Sequence, residues 1–369
     1  MPSETVEHLR EWLQENGVAP EDYIVSVFNT RDVVLLAEDH AIKHNLLLAQ
    51  ALIPRLHKAG VYTLGMEFGA SEDQAALDAL VGVSGPAGNY DEAAARRLMF
   101  NYNTGWAFKE YMDLYRVAWA FNRTRPAHTQ PFRILNLSYR YNWRMSSPVR
   151  TPENTRLVFP KGNTEPYRAE IIRREILDKG EKVLVLTGTI HAFTRYAPPV
   201  FDYLSPGFYR LEEGYMGQTL YRMAPDRVFT ILLHQPFDSR LNGAAQLVYP
   251  ANGVLDAVMQ GLGNRPVGFD LVGTPMGNLP DGSFFATGYP DFTLSQLADG
   301  YVYTMPFDRF EGCTVDDAFM TSENWSEAQA NYPDPHWHKP PDTPDEYWTL
   351  VRSYADIAQR YARLHQTPD

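Results

Sequence analysis

Cysteine is almost absent from the sequence: Cys313 is the single one in 369 residues. An intrachain disulfide is therefore impossible, and nothing here calls for an oxidising compartment. Lysine and arginine form no dense run, and the formal net charge is -12. A nucleic-acid partner needs the opposite electrostatics, so that class is disfavoured. Long hydrophobic runs are missing too; none approaches the roughly 18–20 residues of a membrane-spanning helix. The opening "MPSETVEHLREWLQENG" lacks a basic segment followed by an apolar one, so it does not read as a signal peptide. It reads instead as an amphipathic helix with Val6, Leu9, Trp12 and Leu13 on one face. The expectation is a cytoplasmic protein with no nucleic-acid and no membrane partner.

What is present is an ample core, with 44% hydrophobic residues. Strand-like runs alternate with helical spacing. "DVVLLAE" (32–38) and "VYTLGMEFG" (61–69) read as strands around a helix over 45–60, which Pro54 should kink or divide and Gly60 should end. A helix over 106–124, a strand "FRILNLS" (132–138) and a helix over 165–180 follow. Then come "KVLVLTGTIHAF" (182–193), a strand running into a loop, and "RVFTILLHQPF" (227–237), a fifth strand. "DGYVYTMPF" (299–307) reads as an edge strand or hairpin, and 346–365 as a last helix. The order predicts an α/β fold with a mostly parallel central sheet, helices on both faces, and helical and loop-rich insertions. It is read as one domain over 1–369, with 139–165 a lid or excursion and 270–345 a loop-rich extension.

Sites in open α/β sheets lie beyond the carboxyl ends of the strands. The first strand ends in Glu38, Asp39 and His40, the second reaches Glu67, and the fourth leads to His191. Such a set can do two kinds of chemistry. A histidine can take a proton from water while a carboxylate on its far nitrogen fixes the tautomer and a second carboxylate tunes the cavity. Two imidazoles and a carboxylate can equally hold a hydrolytic metal. The residue types leave both open. His44, four residues after His40, would share a helix face with it. Asp39 could cap the next helix or line the site. Arg195 suits a reacting oxygen. Arg140 and Tyr141, just past a third strand end, suit substrate contact.

The block "VVLLAEDHAIKHNLLLAQALIPRLHKAGVYTLGMEFG" resembles the opening of the erythromycin esterase/ChaN/Tiki–TraB superfamily. There a strand ends in Gly-Glu-x-His, a helix follows, and the next strand carries a glutamate. "VLVLTGTIHAF" is similar to a later strand ending in Gly-x-x-His, and "GYMGQTLYR" (214–222) to a segment after it in the esterase branch. The resemblance covers 33–69 and 182–195, extending through about 235. It implies His40 as general base, with Glu38 and Glu67 beside it and His191 opposite. The Tiki–TraB branch implies a metal-linked histidine and peptide cleavage; ChaN-like members imply haem at a dimer face. The chain departs from the pattern at Ala37, where the family usually has glycine.

"GLGNRPVG" (261–268) has the wrong spacing for a dinucleotide loop. His336 and His338 flank Trp337 in a proline-rich loop, without a further metal ligand in view. The reading is an esterase-like hydrolase of an ester, lactone or related bond in a small-molecule substrate. His40, Glu38, Glu67 and His191 are its catalytic set; His44, Arg195, Asp39, Arg140 and Tyr141 are its substrate contacts. It requires no cofactor. The alternatives are a metal-dependent hydrolase or peptidase, a lyase or cyclase using the same groups, and a haem binder; a homodimer is left open.

Overall fold

The computed structural model describes residues 3–85, 88–149, 151–201, 209–239, 246–335, 339–362 and 364–365. His336, Trp337 and His338 lie outside the described residues. The chain is α/β, with seven mostly parallel strands of central sheet: β1 (Val33–Glu38), β2 (Thr63–Ala70), β3 (Arg133–Ser138), β4 (Val183–Gly188), β5 (Val228–Leu233), β6 (Val267–Asp270) and β7 (Gly300–Tyr303). It divides into two compact units.

The first unit comprises 1–40, 187–310 and 358–369. Its strands run in the order β6-β7-β5-β1. β1 and β5 are parallel, with Val33 opposite Val228 and Ala37 opposite Leu232. All six β1 residues are buried, the continuous apolar signature of a strand covered on both faces. The 299–307 run is a strand, but not an edge: β7 pairs in parallel with β5 on one side and antiparallel with β6 on the other. The missing neighbour in the sequence reading is β6, whose four residues follow Pro266 and are too few to show a period. The expected last helix is also interrupted. Helix Pro344–Ala355 stops before Asp356, and a short turn, Ile357–Arg360, follows.

The second unit comprises 41–186 and 311–357. Here the order is β4-β2-β3, all parallel. Helix Lys43–Lys58 runs unbroken through Pro54 rather than dividing there. Leu52, Ile53 and Leu56 around the proline are fully buried, and that packing outweighs the roughly 3 kcal/mol an interior proline costs. The β2–β3 register shifts between Met66 and Ala70, which places Glu67 in a bulge. Bulges re-aim a side chain relative to a regular strand. The segment 139–165 contains a short turn, Trp143–Met145, and helix Pro152–Val158, joined by the Asn142 amide donating to the Val158 carbonyl at 3.0 Å.

Candidate active site

In the first unit the site grows from the end of β1. Glu38 is the last strand residue and is 1% exposed. Two residues later the chain has turned, and His40 Nδ1 lies 3.2 Å from Glu38 Oε1. An ionised carboxylate only accepts, so this contact favours the tautomer with its proton on Nδ1. The imidazole side chain is 24% exposed and the carboxylate side chain 0%. A buried carboxylate thus holds a partly exposed imidazole.

β4 closes the other side. Thr187 and Gly188 end it within the first unit, and His191 follows on a helical turn, Thr189–Ala192, rather than a loop. The Ala192 carbonyl accepts from the Thr230 hydroxyl of β5 at 2.7 Å, fixing the turn to the sheet. The Thr189 hydroxyl sits 3.0 Å from the Glu38 carbonyl oxygen and 2.9 Å from Gln235 Oε1. Glycine at 188 leaves room for the His40 ring. A Cβ there would lie 2.6 Å from His40 Cε1, 2.7 Å from His40 Nε2 and 3.5 Å from His191 Cδ2. Atoms of both imidazoles thus lie close to one point at the Gly188 backbone.

Asp39 caps no helix. The next helix begins at Lys43 with Ile42 at its cap, so His40 stands outside it and shares no helix face with His44. Instead Arg360 donates to both Asp39 oxygens, at 2.9 and 3.0 Å, and the Tyr361 hydroxyl donates to Oδ2 at 2.5 Å. Arg360 also donates to the His40 carbonyl at 2.9 Å. Arg195 is held by the buried Asp299, at 2.6 Å. Burial raises the Asp299 carboxyl above its ordinary range even against this guanidinium. Ala37 packs its methyl inside the β1–β5 ladder without exposure. The left-handed backbone falls at Ala41, with φ 62°.

In the second unit Glu67 is 5% exposed and pairs with Arg168 Nη2 at 3.5 Å. Arg168 is itself 3% exposed. Its Nε donates to Ser138 Oγ at 3.0 Å, and that hydroxyl donates to the Glu67 carbonyl at 2.7 Å. Burial alone pushes the guanidinium pKa down, yet the field of Glu67 and its neighbours leaves it raised. Burial also holds the nearby Tyr102 hydroxyl well above its usual range. His44 Nε2 accepts the Glu311 amide at 3.1 Å. Arg140 forks onto Asp73, with Nε 3.2 Å from Oδ2. Tyr141 donates to Thr164 Oγ1 at 3.2 Å and packs against Tyr139 and Phe159.

The first unit thus joins Glu38, His40 and His191 and gives Asp39 and Arg195 their own ion pairs. The second carries Glu67, His44, Arg140 and Tyr141. The sequence reading missed Arg168, Arg360 and Tyr361. Arg168 had a signal: it shares the spacing of the buried Ile171 and Ile172 on one helix face. Arg360 and Tyr361 had none, because their partner is Asp39, more than 300 positions away. Among the described residues no group of three or more His, Cys, Asp or Glu is arranged to hold a metal ion. No described helix is long and apolar enough to cross a membrane.

No family model matches the chain, and no curated protein matches it. Solved structures do. A protein from Bacillus cereus is 11% identical with a TM-score of 0.52, over 85% of this chain and 99% of its own. The erythromycin esterase EreC is 11% identical with a TM-score of 0.49, over 77% and 92%. ChaN of Campylobacter jejuni, described with cofacial haem, is 15% identical with a TM-score of 0.37, over 59% and 87%. The Bacillus cereus protein shares the α/β fold of this chain.

Proposed function

We propose that the chain is a hydrolase in which His40 is the general base that activates water against an ester or lactone carbonyl. Water at Nε2 loses its proton to His40 as its oxygen bonds to the carbonyl carbon. Glu38 stabilises the imidazolium through Nδ1–H. His191 donates a hydrogen bond to the carbonyl oxygen, and as the tetrahedral adduct collapses the His40 imidazolium gives the proton it took from water to the departing alkoxide. The His191 role requires its ring within hydrogen-bond reach of the same small group that His40 serves.

The observation that carries this reading is the buried Glu38 carboxylate 3.2 Å from His40 Nδ1, with both the His40 and the His191 ring close to one point at Gly188. A buried carboxylate holding a partly exposed imidazole is the arrangement a water-activating base needs. The experiment is a panel of p-nitrophenyl esters and simple lactones with the wild type, His40→Ala and His191→Ala. Far-UV circular dichroism checks the fold. Turnover should fall by at least about a hundredfold in each variant. It should survive chelator treatment, since the step uses only side chains. Turnover that persists in His40→Ala would end the proposal, and turnover lost to chelator would replace it with a metal-dependent one.

A further inference from the structure

A cavity of about 430 Å³ opens in the first unit beside Asp39. It falls within the roughly 300–1,000 Å³ of small-molecule sites. One side is apolar: Ile190, Phe193, Pro199, Leu247 and Phe285 line it. Ile190, between Thr189 and His191, is 38% exposed. The other side is polar, formed by Asp39, Thr189, Gln235, Arg360 and Tyr361. That polar side is already committed. The Arg360 fork covers both Asp39 oxygens and reaches the His40 carbonyl, and Tyr361 completes the clamp. Asp238 adds a second carboxylate to the lining.

The geometry points to a substrate pocket for the uncharged apolar or aromatic part of an ester or lactone, with the Arg360–Tyr361 clamp as the wall that excludes anions. An anionic substrate would have to break the fork on Asp39 to use Arg360, and would face the carboxylates of Asp39 and Asp238. A neutral chain or ring meets only the apolar wall and covers Ile190. This inference rests on the hydrolase reading for the bond that is cleaved, but the pocket itself can be tested without turnover.

Two measurements on the full chain separate them. First, the fluorescence of the neutral aromatic probe N-phenyl-1-naphthylamine is titrated against wild type, His40→Ala and Leu247→Trp. Binding should persist in His40→Ala and be lost in Leu247→Trp, whose larger ring fills the cavity. Ile190→Gln, at an exposed position, should weaken binding and guards against misfolding of Leu247→Trp. Second, kcat/KM is measured for neutral p-nitrophenyl esters from acetate to octanoate and for the anionic mono-succinate. Each methylene should add roughly threefold to fourfold until the cavity is filled, and butyrate should exceed succinate at least tenfold. Leu247→Trp should flatten the chain-length series. Probe binding without hydrolysis of any ester would support the pocket and defeat the hydrolase reading. Ester hydrolysis with no chain-length trend, no charge discrimination and no probe binding would overturn the pocket and leave the hydrolase reading standing.

Discussion

Replacing Glu38 by glutamine keeps the shape of a fully buried side chain and removes its charge. The carboxylate oxygen lies 3.2 Å from His40 Nδ1. At an effective dielectric near 20 the attraction between a carboxylate and an imidazolium at that distance is about 5 kcal/mol. The imidazole side chain is 24% exposed, so water screens part of this, and roughly half, about 2–3 kcal/mol, is a reasonable share for the step in which His40 becomes charged. That corresponds to a loss of about 30- to 150-fold in kcat. Glutamine can still accept from Nδ1–H through its carbonyl, so the ring orientation survives and KM should change little. The assay is steady-state hydrolysis of the best ester from the panel, with urea unfolding as a control on stability. A Glu38→Gln variant within threefold of wild type, alongside an inactive His40→Ala, would refute the assigned role of the carboxylate.

Gly188→Ala should place a methyl 2.6 Å from His40 Cε1. The ring must move, and a displacement on the order of 1 Å can cost about a hundredfold in rate; a fully active, well-folded Gly188→Ala would contradict the contact. Arg168→Met leaves the Glu67 carboxylate buried without its partner, which should lower stability in urea by about 3–5 kcal/mol; a loss under about 1 kcal/mol would show that the pair is not desolvated. The Glu175 carboxyl feels burial, which raises its pKa, but Lys179, Arg174 and Arg133 pull it down to about 2. Its folded pKa lies below its unfolded one, so its contribution to stability is complete above pH 4.5 or so and disappears as pH falls toward about 2. Glu175→Gln should therefore flatten the acid limb of a stability–pH curve between those values, and an unchanged limb would contradict the network.

Much of this was legible where local pattern and burial coincide. Val33–Ala37 and Val183–Leu186 are buried throughout, so their apolar runs announced strands, and the polar residues that end them pointed to the candidate site. Pro54 does not divide its helix, because helix propensity is local while the packing of Leu52, Ile53 and Leu56 is tertiary. β7 looked like an edge because its antiparallel neighbour is only four residues long. His44 and Asp39 were read from their place in the chain, yet each is bound by a distant segment: His44 by the Glu311 amide, Asp39 by Arg360 and Tyr361. Pairings of that sequence separation leave no periodicity for a single sequence to display.

The most direct measurement is a crystal structure of the protein soaked with the carboxylic acid product of its best neutral ester, or with a slowly turned-over ester. Density for the carbonyl carbon within hydrogen-bond or water-bridged reach of His40 Nε2, with an oxygen facing His191 and the chain against Leu247 and Phe285, is the predicted result. Density bound elsewhere in a catalytically active protein, with no ligand or ordered water between the two imidazoles, would contradict the assignment of His40 as the base.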